Sequence, residues 1–120
     1  MNEDLQIAKK TVQTEIQALK KLSLSFNRSS NFSKAVNLLS KMKGKCLVVG
    51  VGKSYIVSLK VSATLSSLGT PSIAFSANDL QHGGLGAVQK NNDVLLIFSV
   101  SGESSELNSI LRYANRHGIP

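Results

Sequence analysis

The residues best suited to chemistry lie in two short turns, each between a predicted strand and a predicted helix. One turn spans residues 50–54 with the sequence GVGKS, and the other spans residues 99–106 with the sequence SVSGESSE. A helix N-terminus presents free backbone N–H groups and the positive end of the helix dipole, so each turn favours an anion such as phosphate. The serine hydroxyls of the second turn would add neutral hydrogen-bond donors to that site.

Each turn also has an explanation that needs no ligand. The first turn has Leu47 where a Walker loop requires glycine and Tyr55 where a dinucleotide fingerprint requires a small residue, so it equally fits a tight strand-to-helix turn. In the second turn, Ser101 would cap the last helix, and Glu103 and Glu106 would be first-turn acids favoured by the helix dipole. The residues alone leave both interpretations open.

Helices and strands alternate along the chain. Apolar residues at gaps of three and four predict one helix from Leu5 to Phe26 and a second from Val36 to a stop at Gly44. Short apolar runs predict three strands, and the helices after the first and third strands end at glycines. The strands are expected at residues 45–50, 72–75 and 93–98, the helix stops at Gly69 and Gly118, and a polar loop at residues 78–86. This alternation predicts an α/β fold with a doubly wound parallel sheet flanked by helices.

The predicted topology brings the two turns together. Both follow the carboxyl ends of neighbouring strands, which is where open α/β sheets bind their ligands. A three-stranded sheet is narrow, and its open edge predicts association with another chain. The chain ends at Ile119-Pro120, where the next strand of such a fold would begin, so we expect the first part of a longer domain.

Composition and charge restrict the class of protein. The 120 residues have ordinary globular composition, and we expect N-terminal helices over residues 1–44 and one incomplete α/β domain over residues 45–120. Of the net charge of +7, residues 1–45 carry +6, from nine Lys/Arg and three acids, with little aromatic interleaving to stack bases. A solvated helical face therefore explains the charge better than nucleic-acid binding does.

Disulfide, metal and membrane classes are disfavoured. Cys46 is the single cysteine and is expected in the core, and no Cys/His cluster has metal-ligand spacing, so we expect no metal and no cofactor. No apolar run approaches the roughly 18 residues of a membrane span, and the acidic start lacks the order of a secretory signal. We expect a cytoplasmic protein with no membrane or nucleic-acid partner.

Four ordered motifs carry a resemblance to the sugar isomerase (SIS) domain family. They are residues 50–54 (GVGKS), 67–72 (SLGTPS), 82–86 (HGGLG) and 99–106 (SVSGESSE). Within the family, the chain is most similar to the N-terminal part of the arabinose-5-phosphate isomerases. The resemblance implies a five-stranded flavodoxin-like sheet, a phosphorylated-sugar ligand, homo-oligomers and a role in lipopolysaccharide biosynthesis. It also implies interconversion of D-arabinose 5-phosphate and D-ribulose 5-phosphate.

The resemblance further implies roles for individual residues. The implied phosphate-binding residues are Gly52, Ser54, Ser99, Ser101 and Ser104, and the implied catalytic residues are Lys53, His82 and Glu106. An aldose–ketose isomerase needs a base and groups that stabilise a developing oxyanion. Glu106 would be the base, and the remaining roles are not divided between Lys53 and His82. His82 also fits an ordinary exposed loop histidine, and His117 fits a partner of the helix dipole.

Three positions depart from the family pattern. Tyr55, Gly84 and Val100 stand where the family usually has glycine, aspartate and a polar residue, which leaves the choice of phosphosugar open. Further strands, another active-site glutamate and histidine, and a pair of cystathionine-β-synthase domains would lie beyond Pro120. We therefore expect weak or no isomerase activity from this chain alone. The alternative is a non-catalytic module that binds a phosphosugar or pairs with another subunit.

Overall fold

A computed structural model describes residues 2–120 of the chain. The longer elements are α1 (Glu3–Ser25), α2 (Asn31–Lys41), β1 (Cys46–Gly50), α3 (Lys53–Ser67), β2 (Ser72–Ser76), α4 (Ala77–Gln81), β3 (Val94–Ile97) and α5 (Ser105–His117). Two short 3₁₀ helices cover Phe26–Arg28 and Gly84–Ala87. The order of helices and strands confirms the predicted α/β class.

The chain forms two compact units, of which the first ends at Asn37 and the second spans Leu38–Pro120. In the first unit, Asn2 is the N-cap residue of α1, and its side chain accepts a hydrogen bond from the Asp4 backbone N–H at 3.1 Å. The rings of Phe26 and Phe32 contact each other with centroids 4.9 Å apart. The predicted domain division after residue 44 stays a prediction.

The second unit is built on a three-stranded parallel sheet with the order β2-β1-β3. Val49 of β1 is paired with Phe75 of β2 on one side and with Ile97 of β3 on the other. All five residues of β1 are buried. A parallel strand in the middle of a sheet is covered on both faces, which is why this segment is a continuous apolar run rather than an alternating one.

Alternate residues of β1 face opposite layers of helices. Leu47 and Val49 belong to the main core with Leu80 of α4 and Ile110 of α5. Val48 is equally buried but lies outside that cluster, so it points to the other face, where α3 packs against β1 and β2. Since α3 and α5 cover opposite faces, the sheet is doubly wound as predicted.

The predicted loop at residues 78–86 is partly wrong. It contains most of α4 and the beginning of the 3₁₀ helix Gly84–Ala87. Such short helices have too few turns for an apolar period to be recognised in the sequence. The second helix also ends at Lys41, before the stop at Gly44 that was expected.

A buried carboxylate joins the amino ends of β1 and β3. Asp93 is 2% exposed, and its carboxylate accepts hydrogen bonds from the backbone N–H of Lys45 at 2.9 Å and of Gln89 at 2.8 Å. The Lys45 ammonium lies 2.7 Å from the same carboxylate. Burial alone would raise the pKa of Asp93, but these donors and the Lys45 charge outweigh burial and lower that pKa. The pair therefore stabilises the alignment of the two strands that lead to the candidate site.

Candidate phosphate-binding site

The carboxyl ends of β1 and β3 lie side by side. Val49 is paired with Ile97, and the backbone N–H of Phe98 donates to the carbonyl of Val49 at 2.9 Å. The turn before α3 and the loop before α5 therefore begin at the same level on adjacent strands. The helices that follow them cover opposite faces, and the crevice between such helices is where doubly wound sheets bind ligands.

Two glycines shape the turn between β1 and α3. A Cβ atom on Gly50 would overlap the backbone carbonyl carbon of Ser54, so glycine lets the first turn of α3 approach β1 this closely. Gly52 is the N-cap residue of α3 and has φ 56° and ψ −122°, a conformation that favours glycine. Lys53 then begins the helix with an exposed side chain, and Ser54 is half-buried.

The loop after β3 is organised by its own serines. The backbone N–H of Gly102 donates to Ser99 Oγ at 2.9 Å, and that of Glu103 donates to Ser101 Oγ at 3.2 Å. Each hydroxyl accepts a bond here and keeps its own O–H for an anion. The N-cap residue of α5 is Ser104, not Ser101, and Glu103 precedes the helix. The predicted capping role of Ser101 is therefore wrong.

The helices that start at these two turns lack a side-chain cap. In α1 and α4 the side chains of Asn2 and Ser76 accept a hydrogen bond from the first turn. The N-cap residues of α3 and α5, Gly52 and Ser104, make no such side-chain bond. Backbone carbonyls accept from some first-turn N–H groups, namely those of Ser54 and Tyr55 in α3 and of Leu107 in α5. A bound anion would serve as acceptor for the N–H groups that precede these in each turn.

The predicted catalytic residues come from three different helices, and their side chains are exposed. Lys53 is the first residue of α3, and Glu106 lies in the first turn of α5, where it accepts a hydrogen bond from Ser105 Oγ at 3.3 Å. His82 is the C-cap residue of α4, which begins at the carboxyl end of β2. Within residues 2–120 these three residues make no hydrogen bond or ion pair with one another. Their roles stay predictions.

Ser76 is a polar residue at this edge that the sequence interpretation missed. It ends β2 and is paired in register with Gly50, so it lies beside the turn before α3. Its Oγ accepts a hydrogen bond from the Asp79 N–H at 3.1 Å and donates to the Asp79 carboxylate at 2.8 Å. The Ser-x-x-Asp spacing typical of a capped helix was the available signal.

The departures from the family pattern have local explanations at two positions. A Cβ atom on Gly84 would lie 3.1 Å from both the Asp79 carbonyl oxygen and the Leu80 side chain, so a larger residue would crowd α4. Val100 is fully exposed at the tip of the serine loop and packs against nothing that holds the loop in place. Tyr55 is half-buried in α3, and the structure gives no reason for its choice.

Cys46 and His117 lie at other places in the fold. Cys46 is buried in β1, where burial raises the pKa of its thiol to about 11. His117 lies in the last turn of α5, as expected for a dipole partner, with its ring centroid 4.3 Å from that of Tyr113. Its pKa is nevertheless lowered, by desolvation and by the charges of Lys90 and Arg116.

The described part of the chain contains neither a metal-binding cluster nor a membrane-spanning helix. Over residues 2–120, no group of three or more His, Cys, Asp or Glu side chains is placed to hold a metal ion. Over the same residues, none of the helices has the length and apolar character that crossing a membrane requires.

Comparison with known proteins assigns the family. Residues 38–120 match the SIS domain model, so the chain belongs to the SIS domain family. It is 39% identical over 112 residues to arabinose 5-phosphate isomerase KdsD of Pseudomonas aeruginosa and 36% identical over 115 residues to KdsD of Escherichia coli K12. These matches cover 93% and 96% of this chain but 33% and 34% of those proteins. The chain thus spans about a third of the length of these curated relatives.

Solved structures agree with the family assignment. An E. coli CFT073 protein solved in complex with arabinose 5-phosphate has a TM-score of 0.83 and 32% identity, covering 99% of this chain and 63% of that one. A Bacteroides fragilis protein assigned as a phosphosugar isomerase of capsule formation has a TM-score of 0.67 and 28% identity, covering 88% and 58%. The chain therefore belongs to the SIS domain family, has the predicted α/β fold and is similar to phosphosugar isomerases of that family.

Proposed function

We propose that this chain binds a phosphorylated sugar at the carboxyl ends of β1 and β3 and supplies this site to an isomerase of D-arabinose 5-phosphate and D-ribulose 5-phosphate. The observation that carries the proposal is the pairing of two uncapped helix N-termini, those of α3 and α5, on adjacent parallel strands. A phosphate dianion would accept hydrogen bonds from both N-termini at once. The similarity to a protein solved with arabinose 5-phosphate supports this ligand.

The hydroxyl groups complete the phosphate site in this proposal. Ser54 comes from the first turn of α3, and Ser99, Ser101 and Ser104 come from the loop before α5. The backbone at Gly52 approaches the phosphate without a side chain in the way. Hydroxyl and amide donors bind a phosphate dianion without an arginine, and each such charge-assisted hydrogen bond contributes about 1.5–3 kcal/mol.

The isomerisation needs one proton to move between neighbouring carbons of the open-chain sugar. A base takes the proton from C2 of the aldose while the C1 carbonyl oxygen gains a proton, which gives an enediol. The proton then returns to C1 while the C2 hydroxyl loses its proton, which gives the ketose. We assign the carbon-to-carbon transfer to Glu106 and the protons and charge on the two oxygens to Lys53 and His82.

A non-catalytic phosphosugar-binding module is the second candidate. It is favoured by the separation of Lys53, His82 and Glu106, which form no connected group within the described residues. Groups that act as a unit lose most of their rate when one of them is missing or misplaced. The cytoplasmic location, the homo-oligomeric state and the link to lipopolysaccharide biosynthesis also stay predictions from the resemblance.

Titration of the full chain with arabinose 5-phosphate, combined with an assay for ribulose 5-phosphate, tests both candidates. We expect saturable binding that weakens about tenfold in Ser101→Ala, since one donor to the phosphate is lost. Ser33→Ala, an exposed serine of α2, is the matched control and should bind like the unchanged chain.

Turnover separates the enzyme from the module. Ribulose 5-phosphate formation that is lost in Glu106→Gln and kept in His117→Ala supports the isomerase, and binding without turnover supports the module. A chain that is folded by circular dichroism yet binds no arabinose 5-phosphate would refute the site itself.

A further inference from the structure

Ser76 joins the end of β2 to the beginning of α4 through two hydrogen bonds with one residue. Its Oγ accepts a bond from the Asp79 backbone N–H at 3.1 Å, and its O–H donates to the Asp79 carboxylate at 2.8 Å. Ser76 is also paired in register with Gly50, the last residue of β1. The capping pair of Ser76 and Asp79 therefore fixes the start of α4 to the edge of the sheet that carries the candidate site.

α4 depends on this capping pair more than a longer helix would. It has five residues, and a helix of that length is not stable by its own hydrogen bonds. Ala77 and Leu80 are fully buried in the main core, and α4 packs against α5. These apolar contacts hold the buried side of α4, whereas the capping pair holds its first turn at the sheet.

His82 takes its position from α4. It is the C-cap residue of this helix, and its backbone N–H donates to the Asn78 carbonyl at 3.0 Å. Within residues 2–120 its side chain is exposed and makes no hydrogen bond or ion pair. At the next residue, Gly83, a Cβ would meet no atom within 4 Å, so the chain enters open space directly after His82. α4 is therefore the element that sets where the imidazole lies.

We propose that Ser76 is a positioning residue for His82 and acts through Asp79 and α4. This inference rests on the proposed function, in which His82 handles a proton on an oxygen of the open-chain sugar. Ser76 itself does not donate to the phosphate, because its proton is already donated to the Asp79 carboxylate. Loss of the Ser76 hydroxyl should therefore weaken contact with the sugar part of the ligand and spare contact with its phosphate group.

Amide hydrogen exchange of the full chain tests the first step without any ligand. We expect the His82 N–H to exchange about fivefold faster in Ser76→Ala, because loss of an N-cap side chain raises the open fraction of a helix by about that factor. Ser76→Thr keeps a hydroxyl and should exchange like the unchanged chain. Gln81→Ala, an exposed position of the same helix outside the capping pair, is the matched control. Equal His82 exchange in Ser76→Ala and Gln81→Ala would overturn the proposal.

Calorimetric titration with two ligands tests the second step. Inorganic phosphate reports on the phosphate site alone, and arabinose 5-phosphate reports on the phosphate and sugar contacts together. We expect Ser76→Ala to bind inorganic phosphate like the unchanged chain and arabinose 5-phosphate about three- to tenfold more weakly. In a chain that already carries His82→Ala, adding Ser76→Ala should cause no further loss, because both changes act on one side chain.

The outcomes separate this proposal from the proposed function. An unchanged chain that binds neither ligand would refute the phosphate site, and the positioning role with it. A chain that binds both ligands, but in which Ser76→Ala weakens both equally or weakens arabinose 5-phosphate to the same extent without the His82 ring, would refute the positioning role alone. If Ser76→Ala is unfolded by circular dichroism, Asp79→Ala breaks the same capping pair from its exposed side and should show the same selective loss.

Discussion

Gly50→Ala moves one helix of the candidate site without changing any proposed ligand-binding group. A Cβ atom at this position would lie 2.5 Å from the Ser54 carbonyl oxygen and 2.6 Å from the Tyr55 nitrogen, where ordinary contact begins at 3.4 Å. Both are backbone atoms of the first turn of α3, so no side chain can rotate to relieve the contact. The N-terminus of α3 must therefore move away from β1 by roughly 0.9 Å to restore ordinary contact with the Ser54 oxygen.

This displacement sets the size of both expected effects. Overpacking in a core costs about 1–3 kcal/mol, and the upper part of that range applies here because backbone atoms are in contact. We expect the free energy of unfolding to fall by about 2–3 kcal/mol. A shift near 1 Å in a positioning element costs about a hundredfold in function, so arabinose 5-phosphate binding should weaken by about 10- to 100-fold.

Urea denaturation followed by circular dichroism measures the first effect, and calorimetric titration of the folded variant measures the second. Gly86→Ala is the matched control, because a Cβ there meets no atom within 4 Å and we expect a change within about 0.5 kcal/mol. Gly52→Ala tests backbone strain without crowding. A Cβ at this position also meets no atom within 4 Å, but the φ of 56° adds about 1 kcal/mol of strain. If Gly50→Ala were as stable as Gly86→Ala, the close approach of α3 to β1 would be refuted.

Two further predictions concern buried groups away from the site. Asp93→Asn removes one of the two carboxylate oxygens that accept from Lys45 and Gln89, and with it the charge that pairs with the partly exposed Lys45 ammonium. Urea denaturation should therefore show a loss of about 2–3 kcal/mol, against less than about 1 kcal/mol for the exposed Asp79→Asn. The pKa of Asp93 is lower in the folded chain than the usual value of about 3.9. The Asp93 carboxylate therefore stabilises the folded chain above about pH 3.9, and this stabilisation is lost as the pH falls below that value. A free energy of unfolding that does not change between about pH 3 and 6 would contradict this prediction. The buried thiol of Cys46 has a pKa of about 11. In the folded chain at about pH 8 it should therefore react with iodoacetamide at least about a hundredfold more slowly than a free thiol, and unfolding should remove this protection. Rapid labelling of the folded chain would refute the burial of Cys46.

The strands could be predicted from the sequence because burial on both faces leaves a simple signature. Residues 46–50 are a continuous apolar run bounded by Lys45 and a glycine turn, and β1 has nearly the predicted bounds. The same reasoning placed the turn before α3 and the loop before α5 at one edge of the sheet. The pairing of β1 with β3 confirms that the strands preceding the turn and the loop are neighbours.

The capping of α5 and the helix in the segment 78–86 could not be predicted in this way. Either Ser101 or Ser104 has the side chain of an N-cap residue, and the choice depends on Gly102, which has φ 71° and turns the chain before the helix begins. α4 has only five residues, so its tertiary contacts with α5 decide its existence rather than its own sequence period. Capping residues and very short helices can therefore be assigned only when the packing around them is known.

The pairing at the amino ends of β1 and β3 helps to fix the relative position of the carboxyl ends of the same strands. Asp93 and Lys45 precede β3 and β1 and hold the amino ends of these strands together, while the two uncapped helices begin at the carboxyl ends of the same strands. A slip of one residue between parallel strands would move one turn along the sheet by about 3.3 Å and turn its side chains to the other face. Two donors that must bind one phosphate group cannot tolerate such a displacement. We therefore expect loss of the Asp93–Lys45 ion pair to weaken sugar-phosphate binding even in molecules that stay folded.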